Sequence, residues 1–453
     1  VFDSTDLIIL VVSLLVVVFA GVHIAIALGV TSVLGIYLMT DDIEVARNFV
    51  GNTAYEALRD YVFAVIPLFM LMGEFLAKCG AARDMFALVN RMTGFVRGRL
   101  AVTTVLANAI FAFVSGVSIA AAAAFSRIAY PEMKRHGYER GFSLGCIAGS
   151  SCLGMLIPPS VLMIVWGVLT EESIGKLFLA GVLPGFLLVA FYIAYILFVS
   201  YTQPERVGEG PRALAAAAAA AAGPNGAPSG TDTLGALWGT VLVIGLVVGV
   251  LSGIWLGAFT PTEGAGVGAA AALVLALVRG VRWKEIVEVV ILVGRTSGPL
   301  LILLFTAQLY SRVLSMTGVT KAVQDLILGA GLSPYMILAL MVLVWFILGC
   351  IIDSISIILL TVPVFAPIAQ AAGFDPLAFA ILGILAIETG LLTPPFGILV
   401  FTVRAALPYE GASVGEIFRA SVPYWVALVG VILAIAVFPQ IATWLPEAAF
   451  SAK

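Results

Sequence analysis

Charge is what this sequence has least of. Of its 453 residues only 11% are Asp, Glu, Lys or Arg, the formal net charge is -3, and His23 and His136 are the only histidines. A water-soluble domain could not cover itself with so little polar surface. Two histidines argue against a zinc centre and against a histidine-based triad. The small net charge and the lack of a basic, aromatic-interleaved stretch argue against a nucleic-acid partner. Cysteine is also sparse: Cys79, Cys146, Cys152 and Cys350 are scattered through apolar segments without paired metal spacing, and read as small core residues. No nucleophile, base and acid converge in the sequence, so an enzyme is not expected.

What is abundant is apolar sequence. The hydrophobic share is 62% and the mean hydropathy is +1.13, which implies an integral membrane protein; its successive long apolar runs are expected to form an all-α, multi-pass fold. The chain opens at Val1 without a basic n-region or a small-residue cleavage site, so the first apolar run is expected to be a retained membrane segment.

Within this apolar background two stretches stand out, GSSCLGMLIPPS at Gly149 to Ser160 and TGLLTPPFG at Thr389 to Gly397. Paired prolines break a membrane helix and free carbonyls and amides from helical partners, and such breaks belong where something polar binds. The two stretches are related. One ungapped shift superposes Ser118 on Ser354, Pro131 on Pro367, Gly137 on Gly373, Gly154 on Gly390, and Pro158-Pro159 on Pro394-Pro395. Glycine and proline fix backbone shape, so the repeat is one of conformation.

Charge then orients the halves. Asp41, Asp42, Glu44, Glu56 and Asp60 make the first long connection acidic, whereas Lys78 to Arg99 is basic; the positive-inside rule puts the basic segment in the cytoplasm. Phe86, Val89, Met92 and Phe95 suggest that part of it lies along the interface. The run after it is flanked by basic residues at both ends. This favours a re-entrant hairpin over about 101–126, turning at Ser115 to Ser118; an ordinary span with a packing face along Ala120 to Ala124 is the rival reading. A first broken helix follows over about 141–169. The second half shows the opposite charge pattern, as inverted-topology repeats require. The expected division is therefore 1–202, a cytoplasmic linker over 203–235, and 236–453, with a second hairpin over about 337–361 and a second broken helix over about 377–403.

The tips offer Ser115, Gly116 and Ser118 in one half and Gly349, Asp353, Ser354 and Ser356 in the other. The breaks offer Gly149, Ser150, Ser151 and Gly154, and Glu388, Thr389, Gly390 and Thr393. Hydroxyls and freed carbonyls with little formal charge suit sodium, and a proton would need a titrating group such as Asp353 or Glu388. Sodium in both halves is favoured, with these acids tuning the second site.

The segments FVSGVSIAAAA, LGMLIPPS, GKLFLAGVLPG, FTPTEGAGVGA and IETGLLTPPFG resemble the large membrane subunit of tripartite ATP-independent periplasmic (TRAP) transporters, over nearly the whole chain apart from the linker. The resemblance implies an elevator-type, sodium-driven importer of a small organic acid in the bacterial inner membrane. It also implies as partners a small four-helix membrane subunit and a periplasmic substrate-binding protein. Carried over by motif, one sodium site would use Ser115, Gly116, Ser118, Gly154 and Pro158, and another Asp353, Ser354, Gly390, Thr393 and Pro394. Family members often read SGSS at the first tip where this chain has Val117, and Cys152 replaces a threonine, so the first site must lean on backbone carbonyls. Substrate candidates are Ser118, Ser356 and Arg404, although Arg404 also suits a cytoplasmic anchor. A stand-alone sodium- or proton-coupled carrier or antiporter of the same superfamily is the alternative. A non-transporting scaffold would leave the two aligned breaks unexplained.

Overall fold

The computed structural model describes residues 4–209 and 233–450. It is helical throughout: among the described residues the only extended pairing is an isolated bridge between Tyr138 and Val207. Among the described residues eight helices are long and apolar enough to cross a membrane, since about 20 apolar residues span a core of roughly 30 Å. Large apolar side chains such as Val241, Val274, Ile302 and Leu433 are exposed on them, which suits contact with lipid.

Two helix pairs and two interrupted helices form the centre. The first pair, Arg99–Ser115 and Ser118–Arg135, turns through Gly116 and Val117. Gly116 sits at φ +60, a conformation that favours glycine, and its N–H closes the first arm on Ala112. The second pair, Pro334–Gly349 and Ser354–Ala371, turns through Cys350 to Asp353, with the Asp353 carboxylate capping Ser356 N at 3.0 Å.

After each pair comes a helix that stops and restarts. The first runs Arg140–Ser151 and Leu153–Leu156, is interrupted through Pro158-Pro159, and resumes as Val161–Thr170 under a Ser160 cap. The second runs Pro376–Gly390 and resumes as Ile398–Ala406 after Pro394-Pro395. Both Pro-Pro bonds are cis. These interrupted helices are the most enclosed part of the fold, with every residue from 142 to 167 and from 378 to 393 buried.

Packing joins the pieces across the chain. The arm Pro334–Gly349 packs along Pro376–Gly390, and Ser118–Arg135 along Arg140–Ser151. Trp166 of the first interrupted helix stacks edge-on to Trp345 at 5.8 Å and to Phe379 at 6.0 Å. The ring of Trp345 also donates to Thr361 Oγ1 at 2.7 Å, so its buried N–H is satisfied. Gly383 makes room for this cluster, because a Cβ there would lie 2.8 Å from the Trp166 ring. Around this centre, Val65–Lys78 packs on Pro261–Val278, and Ile24–Thr40 on Trp283–Met316.

Some segments differ from the sequence expectation. The acidic connection is a 17-residue helix, Ile43–Arg59, capped by Asp42 and burying Ala46, Thr53 and Ala57. The basic segment forms the helix Ala81–Met92, whose Met85, Phe86 and Val89 are buried in the protein, while Met92 and Phe95 are exposed. Its apolar stripe therefore packs inward and does not serve only the interface. The start of the linker is docked: Arg206 pairs with Glu139, Glu209 accepts from Gly98 N at 2.6 Å, and Val207 is buried. Residues 210–232, including the alanine run Ala215 to Ala222, lie outside the described residues.

Candidate binding site at the hairpin tips

Each tip is seated against the interruption that follows it. At the first, Gly116 O accepts from Val161 N at 3.3 Å, and a Cβ on Gly116 would collide with Pro159 O. Gly154 is also tightly packed, since a Cβ there would lie 3.1 Å from Ser118 Cα and N. Glycine at these two positions is what lets backbone meet backbone. Pro158 and Pro159 are buried beside them. Ser115, Gly116, Ser118, Gly154 and Pro158 are thus brought into one neighbourhood. The Ser115 hydroxyl is buried there without a hydrogen-bond partner.

The second tip is closed by a pair of glycines. A Cβ on Gly349 would lie 2.8 Å from Ile387 O and 2.9 Å from Gly390 Cα; one on Gly390 would lie 2.6 Å from Gly349 Cα. Phe396 N donates to Cys350 O at 3.1 Å, and Thr393 Oγ1 lies 2.9 Å from both Cys350 Sγ and Gly390 O. Gly390 and Thr393 therefore meet the tip as a unit. Ser354 and Ser356 are buried at the start of the second arm, whereas Asp353 is exposed and its carboxylate serves as that arm's cap. Pro394, Pro395 and Phe396 are exposed, unlike the buried Pro158 and Pro159. Arg404 is exposed in the last turn of Ile398–Ala406, in a cleft with Phe401, Leu407 and Pro408.

Glu388 departs from the expectation that it tunes the second site. Its carboxylate reaches the first tip, where Ser118 Oγ donates to Glu388 Oε2 at 2.7 Å. Cys152 Sγ donates to the Glu388 main-chain oxygen at 3.8 Å. The side chain is 1% exposed and its other oxygen, Oε1, is buried and unpartnered. Sequence reasoning also missed Asn108, which donates to Ser150 Oγ at 2.6 Å behind the first interruption. An amide inside an otherwise apolar run was the available signal. Cys350, read only as a core residue, lines the second tip.

The polar groups gathered here are hydroxyls, main-chain carbonyls, the buried Glu388 carboxylate at the first tip and the exposed Asp353 carboxylate at the second. Oxygen donors of these kinds are the ones that hard cations take. Ser118–Arg135 and Ser354–Ala371 also begin at the two tips, presenting helix N-termini toward them.

Known proteins share both sequence and fold. The family model described as "Tripartite ATP-independent periplasmic transporter, DctM component" matches residues 11–441. The C4-dicarboxylate TRAP transporter large permease protein of Pseudomonas aeruginosa is 34% identical over 425 residues, 93% of this chain and 94% of that protein. The ectoine/5-hydroxyectoine TRAP transporter large permease of Ruegeria pomeroyi is 31% identical, over 87% and 88% of the two chains. The sialic acid TRAP transporter large permease of Vibrio cholerae is 27% identical, over 88% and 90%. Among solved structures, the YdaH transporter of Alcanivorax borkumensis superposes with a TM-score of 0.60 over 90% of this chain and 89% of that one, at 16% identity. That likeness bears on fold alone. By its sequence over nearly the whole length, the chain belongs to the DctM component family of tripartite ATP-independent periplasmic transporters, as a multi-pass large permease.

Proposed function

We propose that this permease imports a small organic acid, as a carboxylate, across the bacterial inner membrane, coupled to sodium. Its partners in this reading are a small four-helix membrane subunit and a periplasmic substrate-binding protein that delivers the substrate. The observation that carries the proposal is the seating of each hairpin tip in a helix interruption, where hydroxyls and main-chain oxygens are buried with little formal charge. Such oxygens suit sodium: Ser115, Ser118 and the carbonyls around Gly154 and Pro158 on one side, Gly390 and Thr393 with the second tip on the other. The orphaned Ser115 hydroxyl fits an oxygen that awaits a ligand.

The helix N-termini at the tips favour an anionic substrate, and C4-dicarboxylate and sialic acid are named for the relatives in Pseudomonas aeruginosa and Vibrio cholerae. In this reading Ser118 and Ser356, at the starts of the two second arms, remain the substrate candidates. Inverted-topology halves moving as an elevator account for the aligned breaks and for the exchanged charge of the flanking connections. The contact of Lys134 and Arg140 with Glu410 and Glu416 supports this arrangement, since it brings the basic end of the first hairpin to the segment after the second interruption.

The test is uptake of a labelled C4-dicarboxylate or sialic acid into proteoliposomes holding the complete complex and its binding protein. An inward sodium gradient should drive accumulation, and replacing sodium by potassium should abolish it. Equal uptake without sodium would overturn the coupling.

A further inference from the structure

Glu388 raises a question of charge balance. It is 1% exposed, deep in the interrupted helix Pro376–Gly390. Every ion pair among the described residues lies elsewhere. The groups that touch it are neutral: Ser118 donates to Oε2, and Cys152 to its main-chain oxygen. An ionised carboxyl at such a place costs several kcal/mol unless a positive charge joins it. Oε1 marks where that charge would sit, being buried and without a partner. In the same tip, three residues before Ser118, the Ser115 hydroxyl is also buried and unpartnered. One unpartnered oxygen thus belongs to the first tip and the other to the residue of the second half that hydrogen-bonds to that tip.

We propose that Glu388 Oε1 is a direct ligand of the monovalent cation held at the first hairpin tip, so that this site is built jointly by the first half's tip and the second half's interrupted helix. The inference rests on the sodium reading above and adds a ligand to it. One carboxylate balances one monovalent cation, whereas a divalent ion would leave a buried positive charge uncompensated. The site would then hold the two halves together: with the cation present, Ser118 and Glu388 bind a common centre as well as each other.

The experiment is binding of radiolabelled sodium to the purified full chain in a potassium background, for the wild type and for Glu388→Gln. Glutamine keeps the shape and the Ser118 contact but carries no charge, as a protonated acid would. Loss of a charged ligand should weaken sodium binding at one site by about tenfold or more, with the second site unchanged. If Glu388→Gln binds sodium as the wild type does, Glu388 is not a ligand and the inference falls while the sodium reading stands. If the wild type binds no sodium, both fall. Should Glu388→Gln fail to fold, Glu388→Asp retains the charge on a shorter arm; a weaker first site is expected, and an unchanged one overturns the proposal.

Discussion

The hydroxyl of Ser118 and the carboxylate of Glu388, 270 positions apart, are joined by a buried 2.7 Å hydrogen bond. Next to it, Cys152 contacts the Glu388 main chain across a separation of 236 positions, which is also the shift that superposes Ser118 on Ser354 and Pro158 on Pro394. Corresponding positions of the two halves thus touch at the centre of the molecule. A perturbation of the first tip is felt directly by the second interrupted helix.

Ser118→Ala tests that link. It removes a hydrogen bond to a carboxylate and leaves both Glu388 side-chain oxygens without a partner. Stability in sodium-free buffer should drop by about 1 to 3 kcal/mol, read from thermal melts of the purified chain. A melt equal to the wild type would mean that the contact contributes nothing.

Gly390→Ala should prevent the second tip from seating, because its Cβ would stand 2.6 Å from Gly349 Cα and 2.7 Å from Phe346 O. Backbone cannot yield as a flexible side chain does, so a loss of about 2 kcal/mol or more is expected, together with loss of transport. Gly245→Ala is the control, with nothing within 4 Å of its added methyl. If both variants behave alike, the close approach of Gly349 and Gly390 is not what the fold requires.

Thr393→Val removes the hydroxyl that meets Cys350 Sγ and Gly390 O at 2.9 Å while keeping the side chain's shape. Half-maximal transport should need about tenfold more sodium, with the folded state retained. An unchanged sodium dependence would take Thr393 out of the second site.

Lys134, Tyr130 and Arg140 clamp the segment after the second interruption. Lys134 Nζ lies 2.8 Å from Glu410 Oε2, Tyr130 OH donates to the same carboxylate, and Arg140 holds Glu416 through two hydrogen bonds. The Lys134 hydrogen bond, opposed by partial desolvation, holds the Glu410 carboxyl below the usual carboxylate range. A lowered folded-state value means that its contribution is present above the ordinary carboxylate pKa of about 4.3 and is lost as pH falls through the lowered value. Glu410→Gln should therefore lower the melting temperature at pH 7 and converge with the wild type in stronger acid. A gap that persists in acid would assign the effect to packing. High salt should shrink it too, since the pair is partly exposed.

The membrane class was legible in the scarcity of charge, and the family in motifs such as LGMLIPPS and IETGLLTPPFG. These are local signals: prolines remove donors and glycines permit close approach wherever the chain runs. The partners of Glu388 and Glu410 were not legible. Each depends on which distant element lies opposite, Ser118 in one case and Lys134 in the other, and no local periodicity records that. Ile43–Arg59 shows a subtler limit. Its acidic residues suggested a connection, yet Ala46, Thr53 and Ala57 fall at helical spacing and bury one face. Arg206 and Val207 likewise read as the start of a linker, and only the pairing with Glu139 and the burial of Val207 show that this end is anchored.

The most direct test of the sodium-site account is the thermal stability of the purified chain titrated with sodium against potassium at equal ionic strength. Sodium at about 100 times its Kd should stabilise the native state by roughly 2.7 kcal/mol, and the rise in melting temperature should diminish with Ser118→Ala and with Thr393→Val. Identical melting curves in the two salts, at every concentration, would contradict it.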